Sequence, residues 1–388
     1  MKNKNLKVCS RCIYDENVPN ISFDDNGECN YCKMIDNLQN DYQTGTPSGE
    51  EKFLKIVEEI KIAGKGKVYD CIVGASGGTD SSYMLYLAKK HGLRPLAVHY
   101  DNTWNSAIAT ENIRKVTTKL GLDLYTHVVD NAESDDIFKS FFKAGVVEFD
   151  GPTDIALAEV MYRAAAKYKI RYVLEGHSFR AEGVSPLGNA YVDGKYIKTV
   201  HKEFGSIPMK TFPNMSFLSF LKWIMFYKIQ KIRPYWYIDY DKQSAKKFLE
   251  KEYDWKYYGG HHLENRATAF THAYLYPKRF NYDSRNNSLS AQVRSGLMSR
   301  EDALKEYYEK ETLLEPELLN YVKKRLKMSD EEFEKLMNAP RKTYRDYKTY
   351  KERFELFRPL FYVLAKANLV PMSFYLKYCF PIKKNDKK

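Results

Sequence analysis

Several features of exported and membrane-spanning proteins are missing from this 388-residue sequence. The first residues, MKNKNLKVC, contain no apolar segment of the kind found in signal peptides. No run of about 18 apolar residues occurs, which argues against a membrane-spanning helix. Internal repeats and long low-complexity linkers are also lacking. We therefore expect a cytoplasmic protein whose thiols stay reduced, which makes disulfides the weaker interpretation of its cysteines.

Cysteine is scarce, and its distribution is uneven. Four of the six cysteines lie in CSRCIYDENVPNISFDDNGECNYC, as the pairs Cys9 with Cys12 and Cys29 with Cys32. This spacing is typical of a structural zinc site. Four thiolates complete a tetrahedral shell around Zn²⁺ and leave no position for a substrate. We predict a structural zinc site, with a short β-hairpin between the two pairs.

Acidic residues are outnumbered, with 50 Asp and Glu against 62 Lys and Arg, for a formal net charge of +12. A positive balance favours anionic partners. Nucleotides, phosphorylated sugars, nucleic acid and an acidic membrane surface all meet that description, and charge alone does not choose among them.

The glycine-rich loop of the sequence lacks the lysine of a Walker A motif. In KVYDCIVGASGGTDSSYMLYLAKKHG, residues 67–92, an apolar run from Val68 to Val73 predicts a buried strand, and apolar residues at helical spacing follow the turn. A strand, a glycine turn and a helix N-terminus form an anion site, because free N–H groups and the positive end of the helix dipole point at one place. The candidate ligand-binding residues are Ser76, Gly77, Gly78, Thr79, Asp80, Ser81 and Ser82.

Predicted strands and helices alternate after this loop. LRPLAVHYDN, DLYTHVV and IRYVLEGHS have the composition of strands, with helical patterns between them. Such alternation predicts a parallel sheet covered on both faces, with ligands bound outside the carboxyl ends of the strands. His99, Asp101 and Gly176 would then join the loop in one crevice. The alternative for His99 and Asp101 is a purely structural role.

The second half of the chain changes character. Residues 214–237 are densely aromatic and basic, which predicts a buried helix of an accessory lobe or, alternatively, an amphipathic helix that touches a membrane. Residues 255–304 concentrate polar and titratable side chains beside a Gly-Gly turn. The group His261, His262 and Glu264 does not have the spacing of a recognised metal site. Helices are expected from there on, including one capped by Ser329.

The SGGTDS loop, residues 76–81, resembles the pyrophosphate loop of the PP-loop ATP pyrophosphatases. With the four-cysteine element and the segment YGGHHLENR…LYPKRF…SREDAL, the chain resembles the N-acetyl sugar amidotransferase family over roughly residues 9–310. The resemblance implies a parallel Rossmann-like (HUP/PP-loop) α/β sheet flanked by helices, an N-terminal zinc ribbon and a mostly helical C-terminal lobe. We expect boundaries at 1–48, 49–189 and 190–388.

The resemblance also implies a reaction. An ATP-dependent amidotransferase would adenylate the acetamido oxygen of an N-acetylated nucleotide sugar or nonulosonic acid and replace it with ammonia. The products are an acetamidino group, AMP and pyrophosphate, in surface polysaccharide biosynthesis. ATP would bind at the loop with His99, Asp101 and Gly176, and Mg²⁺ would be held with the help of Asp80. One departure is His177, where we expect an acidic residue or Asn after Gly176.

Residues for the sugar side follow from their chemistry. We predict Glu264 and His262, together with Asp80, as catalytic residues. The carboxylate of Glu264 can hold ammonia or the amide nitrogen. Substrate contacts are expected from Arg266, Arg285, Asn265 and Lys278, since guanidinium groups bind carboxylate or phosphate through two parallel hydrogen bonds. The alternative is that these residues only brace the lobe through salt bridges.

Ammonia is expected from solution or from a separate glutaminase subunit, with or without a cyclase-like subunit, because neither Cys71 nor Cys379 belongs to a recognisable glutaminase triad. No nucleic acid and at most peripheral membrane contact are expected. Two alternatives stay open at this point: a tRNA-thiolating PP-loop enzyme, and a non-catalytic zinc-ribbon binding module.

Overall fold

A parallel β-sheet lies at the centre of the protein. The computed structural model describes residues 6–184, 186, 190–260, 263–310, 315–367, 369–370 and 372–379. Its strands are β1 (Cys71–Gly74), β2 (Pro95–Asp101), β3 (Leu124–Val128), β4 (Tyr172–Leu174) and β5 (Gln230–Ile232). Their order is β3-β2-β1-β4-β5, and every neighbouring pair is parallel. The predicted parallel sheet is confirmed.

Helices precede, connect and follow these strands. The first seven are α1 (Asn30–Tyr42), α2 (Pro47–Gly64), α3 (Thr79–Lys90), α4 (Ala107–Leu120), α5 (Asn131–Ala144), α6 (Gly151–Lys167) and α7 (Gly194–Phe204). The others are α8 (Phe217–Leu221), α9 (Lys242–Tyr253), α10 (Arg266–Phe270), α11 (Arg285–Arg294), α12 (Arg300–Glu309), α13 (Leu318–Arg325), α14 (Asp330–Asn338), α15 (Lys351–Leu356), α16 (Arg358–Lys366) and α17 (Met372–Phe374). After β5 the described residues form helices and loops, as predicted for the C-terminal lobe.

Short sequence signals set several helix ends where they were expected. Ser106 accepts a hydrogen bond from the backbone of Ala109 at the start of α4, and Ser329 caps α14 in the same way. Gly121 and Gly145 end α4 and α5 with φ angles of +60° and +75°, a left-handed conformation that glycine adopts without a steric penalty.

Alternate residues of the strands face two separate apolar clusters. Ile72 packs into a cluster with residues of α5, α6 and α7, whereas Cys71 and Val73 face residues of α2, α3 and α9. Side chains alternate across a strand, so one short apolar run serves both faces. The predicted two-sided cover of the sheet is therefore present.

The aromatic segment 214–237 differs from the single helix that was predicted. It forms α8, a π-helical turn over Lys222–Phe226, strand β5 and a 3₁₀ turn over Pro234–Trp236. Lys228, between the π-helical turn and β5, has a φ of +53°, which no helix interior allows. Because β5 pairs with β4, the sheet continues beyond the boundary expected at residue 190.

Two further β elements are shorter than the sequence suggested. Strand β1 begins at Cys71 rather than Val68, whose side chain is 72% exposed. The zinc-ribbon loops contain isolated antiparallel bridges, Val8 with Asp15 and Phe23 with Cys29, instead of the short β-hairpin predicted between the two cysteine pairs. None of the described helices has the length and apolar character needed to cross a membrane.

Candidate functional site

The glycine-rich loop follows β1, at the point where the strand order reverses. Strand β2 lies on one side of β1 and β4 on the other, so their connections leave the sheet in opposite directions. In open α/β sheets this arrangement opens a ligand crevice. The loop after β1 and Gly176 after β4 flank the crevice, as predicted from the sequence.

Gly77 is the residue that the loop geometry constrains most. Its φ is +81°, and a Cβ at this position would lie 2.2 Å from the carbonyl oxygen of Ala109. The Gly77 carbonyl accepts hydrogen bonds from Trp255 Nε1 at 3.0 Å and Asn112 Nδ2 at 3.2 Å. A side chain would therefore displace α4 or break the loop.

Hydroxyl groups fix the rest of the loop. The Oγ atoms of Ser76 and Ser81 are 2.9 Å apart, and the Gly78 N–H donates to Ser76 Oγ at 3.2 Å. Gly78 is the N-cap of α3, and Ser82 donates the first backbone bond of the helix back to it. The first turn of α3 therefore opens toward the crevice with the positive end of its dipole, which suits a phosphate.

Asp80 is held by residues that the sequence did not reveal. Lys242 Nζ lies 2.6 Å from Asp80 Oδ2, and the Tyr240 hydroxyl donates to Oδ1 at 2.7 Å. Tyr235 donates to the Asp80 backbone carbonyl at 2.8 Å. Burial disfavours the charged carboxylate, but the Lys242 ammonium outweighs it, and the pKa of Asp80 is lowered. Nothing in the local sequence marks Lys242 beyond its position after Asp241, the cap of α9.

Lys242 also contacts a second carboxylate. Its Nζ is 3.4 Å from Glu182 Oε1. Burial alone would lower the pKa of this ammonium, but the charges of Asp80 and Glu182 raise it above the ordinary value. Lys242 is therefore cationic at neutral pH, and it brings to the start of α3 the positive charge that the loop itself lacks.

Glu264, which was predicted as a catalytic residue, lies beside the loop. Its backbone carbonyl accepts from Ser106, and the next residue forms an antiparallel bridge with Asn105, which joins this segment to the β2–α4 loop. A Cβ on Gly78 would lie 3.1 Å from the Tyr258 hydroxyl and 3.4 Å from Glu264 Oε1. Tyr258, which the sequence did not single out, therefore faces the loop together with Glu264.

His99 and Gly176 both lie against backbone carbonyl groups of the loop. His99 Nδ1 is 2.7 Å from the Ala75 carbonyl and Nε2 is 3.2 Å from Asn105 Nδ2, so both ring nitrogens are engaged. Burial lowers the pKa of His99, which favours the neutral ring that this pattern needs. A Cβ on Gly176 would lie 3.0 Å from the Asp80 carbonyl oxygen. The Asp101 carboxylate accepts from the Thr103 backbone at 2.7 Å. For His99 and Asp101 these contacts favour the structural alternative.

The residues predicted for the sugar side are not all brought together. Asn265 donates to Asn102 and Asn105, next to His99, and so lies near the loop. The Arg266 guanidinium instead lies 4.7 Å from the centre of the Tyr321 ring, and Lys278 is exposed on the π-helix Thr271–Phe280. His262 lies outside the described residues.

Arg285 is occupied within the lobe. It forms an ion pair with Asp283 at 2.8 Å and donates to the Lys310 carbonyl at 2.8 Å. Longer hydrogen bonds reach the carbonyls of Glu306 and Tyr307. These contacts brace the end of α12, which favours the scaffold alternative for this residue.

Polar residues also follow β4. Glu175 pairs with Lys231 at 2.6 Å and Arg233 at 3.0 Å, and these cations outweigh burial and lower its pKa to about 2. His177 accepts from Trp236 Nε1 at 3.2 Å, and burial lowers its pKa to about 4. A neutral His177 therefore stands where an acidic or amide side chain was expected.

The four N-terminal cysteines fit a zinc ion. All four sulfurs lie within 4.8 Å of one another, and the contacts Cys9–Cys32, Cys12–Cys29 and Cys29–Cys32 measure 3.8, 3.8 and 3.6 Å. A tetrahedron with zinc–sulfur distances of about 2.3 Å has edges of about 3.8 Å. Backbone N–H groups of Arg11, Cys12 and Cys29 point at Cys9 Sγ. This arrangement would hold Zn²⁺ as a structural ion.

The cysteine cluster is docked on the C-terminal lobe by two arginines. Arg294, at the end of α11, donates to Cys12 Sγ at 3.2 Å and Cys32 Sγ at 3.4 Å, and it stacks on Tyr14 at 4.2 Å. Arg300 donates to the carbonyls of Cys9 and Cys12. Sequence reasoning missed both residues, because no local pattern links them to the cysteines.

The fold and this site define an α/β protein with a glycine-rich loop at the switch point of a parallel sheet and a four-cysteine cluster packed on its helical lobe. Residues 264–360, about a quarter of the chain, match the family described as LPS biosynthesis protein WbpG-like, C-terminal domain. No curated protein matches the chain.

Three solved structures show partial likeness. NMN synthetase from Francisella tularensis is 14% identical with a TM-score of 0.32, over 73% of this chain and 95% of that one. NH3-dependent NAD synthetase from Campylobacter jejuni is 14% identical with a TM-score of 0.32, over 75% and 96%. A predicted subunit of a tRNA methyltransferase from Methanocaldococcus jannaschii is 16% identical with a TM-score of 0.25, over 46% and 75%. The likeness is weak, and the proposal below does not depend on it.

Proposed function

We propose that this protein is an ATP-dependent amidotransferase that converts the acetamido group of an N-acetylated sugar into an acetamidino group during surface polysaccharide synthesis. The observation that supports an ATP-cleaving reaction is the SGGTDS loop at the N-terminus of α3, with Lys242 beside it. The match of residues 264–360 to an LPS biosynthesis family supports the pathway. The sequence resemblance supplies the sugar amide as the substrate.

The chemistry asks the protein for positioning and charge stabilisation rather than for a nucleophile. The amide oxygen attacks the α-phosphorus of ATP, the bond from that phosphorus to the bridging oxygen breaks, and pyrophosphate leaves. Ammonia then adds to the imidate carbon, loses a proton, and AMP leaves with the original oxygen. The first turn of α3 and Lys242 would bind the pyrophosphate group as negative charge moves onto it.

Glu264 would act on the nitrogen side of the reaction. It lies beside Gly78 and Tyr258, and its charge contributes to the raised pKa of the Tyr258 hydroxyl after the larger effect of burial. A carboxylate there could hold ammonia or accept its proton. Lys242 and Tyr240 each engage one oxygen of Asp80, and each oxygen keeps a second lone pair that could contact Mg²⁺ bound to the phosphates.

The remaining cysteines weigh against the tRNA-thiolating alternative. Cys71 opens β1, at the end of the strand away from the loop, and is fully buried. Cys379 is fully buried in the C-terminal lobe. Burial raises the pKa of both thiols, which disfavours the nucleophilic thiolate that sulfur transfer needs.

The test is a product assay with purified protein, ATP, ammonium and a panel of UDP- and CMP-linked N-acetylated sugars. We expect AMP and pyrophosphate in equal amounts, together with a sugar in which NH has replaced an oxygen, identified by mass spectrometry. Gly77→Val, which forces a side chain into α4, should abolish the reaction. Release of ADP, or cleavage of ATP only when tRNA is added, would contradict the proposal.

A further inference from the structure

Two helical segments at the β5 edge of the sheet expose large apolar side chains. In the segment 217–227, Leu218 is 75% exposed and Phe226 is 78% exposed. In the segment 351–366, Leu356 is 74% exposed and Val363 is 63% exposed. We call the exposed apolar residues of these two segments the apolar face; they are Leu218, Met225, Phe226, Tyr227, Leu356, Phe357, Leu360, Tyr362 and Val363.

Helix α16 carries apolar side chains on both its inner and its outer side. Its inner side buries Phe361, Leu364 and Ala365. Leu360 and Val363, on the opposite side of α16, are exposed to solvent. Together with Leu356 they form a row of exposed apolar side chains. Leu356 is the last residue of α15, so this exposed apolar row runs from the end of α15 along the outer side of α16. A helix that is apolar on both sides is normally enclosed, and none of the described residues covers the outer side of α16.

The two segments are neighbours through their inner sides. Phe217 lies 5.6 Å from Phe354, and Phe220 lies 4.9 Å from Phe374, which is 5.5 Å from Phe361. A shared aromatic cluster therefore holds the two segments against each other. Their outer side chains belong to one rigid part of the lobe rather than to a loose loop.

The charge of the two segments indicates which partner covers the apolar face. Residues 204–238 contain no aspartate or glutamate, and the two acids of the second segment, Glu352 and Glu355, both precede its exposed apolar row. Exposed Lys222 and Lys228 lie among the apolar residues of the first segment, and Lys366 ends α16. Apolar and aromatic residues mixed with lysine and arginine, without acids, are typical of helices that lie in the interface of an anionic membrane.

A basic cavity adjoins the same segments. It has a volume of about 580 Å³ and lies against Ser216, which caps α8, and Tyr350, which precedes α15. Lys195, Lys198 and Arg353 also line it. A lipid phosphate is the anion that would meet these cations if the apolar face were seated in a bilayer.

We propose that the apolar face docks this protein on an anionic phospholipid membrane, with Phe226, Leu356, Leu360 and Val363 inserted among the acyl chains. Lys195, Lys198 and Arg353 contact the phosphate groups. The interaction is peripheral and reversible, and it is separate from the loop that binds nucleotide. Its failure in a test would leave the proposed amidotransferase reaction unaffected, because that assay uses soluble substrates and no lipid.

The experiment is cosedimentation of the full chain with phosphatidylcholine vesicles, with and without a third of the lipid replaced by phosphatidylglycerol. We expect binding to the anionic vesicles that weakens as salt is raised, and little binding to phosphatidylcholine alone. Phe226→Ser with Leu360→Ser should weaken binding by at least about tenfold, because each side chain loses much of its transfer free energy.

Val128→Ser is the matched control, since Val128 is 59% exposed on β3, at the opposite edge of the sheet. It should bind vesicles as the unchanged protein does. Each variant is checked by its circular dichroism and its melting temperature. Failure of the unchanged protein to bind anionic vesicles would overturn the proposal, as would full binding by the double variant. Self-association that the double variant abolishes, without vesicle binding, would instead assign the face to a second copy of the chain.

Discussion

At the scale of single residues, the loop separates what a sequence can reveal from what it cannot. Gly77, Gly78 and the loop serines are neighbours in the chain, so their pattern is visible, and the structure places them at the start of α3 as expected. Lys242 is 162 residues away from Asp80. It opens an ordinary amphipathic helix, and only the folded chain brings it to the site.

The role of Lys242 can be tested by changing its charge. Lys242→Met removes the cation beside the loop, and we expect kcat/KM for ATP to fall by roughly 10- to 100-fold, because hydrogen bonds to charged groups contribute about 1.5–3 kcal/mol. Lys242→Arg should keep part of the activity. The measurement is the initial rate of pyrophosphate release over a range of ATP concentrations.

Lys247→Met, on the exposed side of the same helix, is the control and should behave as the unchanged enzyme. The melting temperature of each variant separates loss of folding from loss of function, since Asp80 loses its counter-ion in Lys242→Met. Unchanged kinetics in a folded Lys242→Met protein would show that this lysine only neutralises Asp80.

At the scale of elements, the zinc ribbon and α11 depend on each other. A zinc ion with four thiolates carries a net negative charge, and Arg294 places a buried guanidinium directly against two of the sulfurs. Partners that donate hydrogen bonds to metal ligands commonly change metal affinity by about 10- to 100-fold. The ribbon is thus one half of a site whose counter-ion belongs to the C-terminal lobe.

Removal of that guanidinium should loosen the metal. In Arg294→Met, which keeps an apolar side chain against Tyr14, we expect zinc to pass to a chelator at least about tenfold faster than in the unchanged protein. The release is followed with a colorimetric zinc indicator. Arg285→Met removes an arginine from the same helix that has no contact with sulfur, and it should not alter the rate. Equal release from both variants would contradict a role for Arg294 in metal retention.

Elements also differ in how far they could be predicted. Helices α4 and α5 have a polar cap, an apolar stripe and a terminal glycine, so their bounds follow from local sequence. Strand β5 has three residues inside an aromatic stretch. The apolar residues of this stretch follow neither the alternation typical of a strand nor the spacing typical of a helix. It becomes a strand because β4 offers an unpaired edge, which is a property of the sheet rather than of the segment.

At the scale of the whole molecule, stability should depend on a buried acid. Glu148 accepts hydrogen bonds from the Tyr191 backbone and the Tyr196 hydroxyl, and burial raises its pKa from 4.5 to about 7. Between these two values the folded chain holds a proton that the unfolded chain has lost. The free energy of unfolding therefore decreases as pH rises through this range, by up to about 3 kcal/mol from this group.

Glu148→Gln keeps the shape and removes the titration. We expect the variant to gain stability relative to the unchanged protein as pH is raised from 5 to 8, measured by urea denaturation at each pH. The pKa of His177 is lowered to about 4, so this group decreases the free energy of unfolding as pH falls. Because His177 is present in both proteins, its contribution cancels in the comparison. A difference that stays constant with pH would contradict the assignment.

Contacts that join distant parts of the chain also set an order in time during synthesis. Cys32 and Arg294 are separated by 262 residues, yet they touch in the folded protein. Ribosomes add about 5–20 residues per second, so the thiolates emerge roughly 13–50 s before their arginine does. During that interval the cysteines can already capture zinc, but the ribbon has no surface to dock on. The newly made cysteine element is thus exposed to metal exchange and oxidation until about three quarters of the chain has been made, and zinc supply in the cell becomes part of how this protein folds.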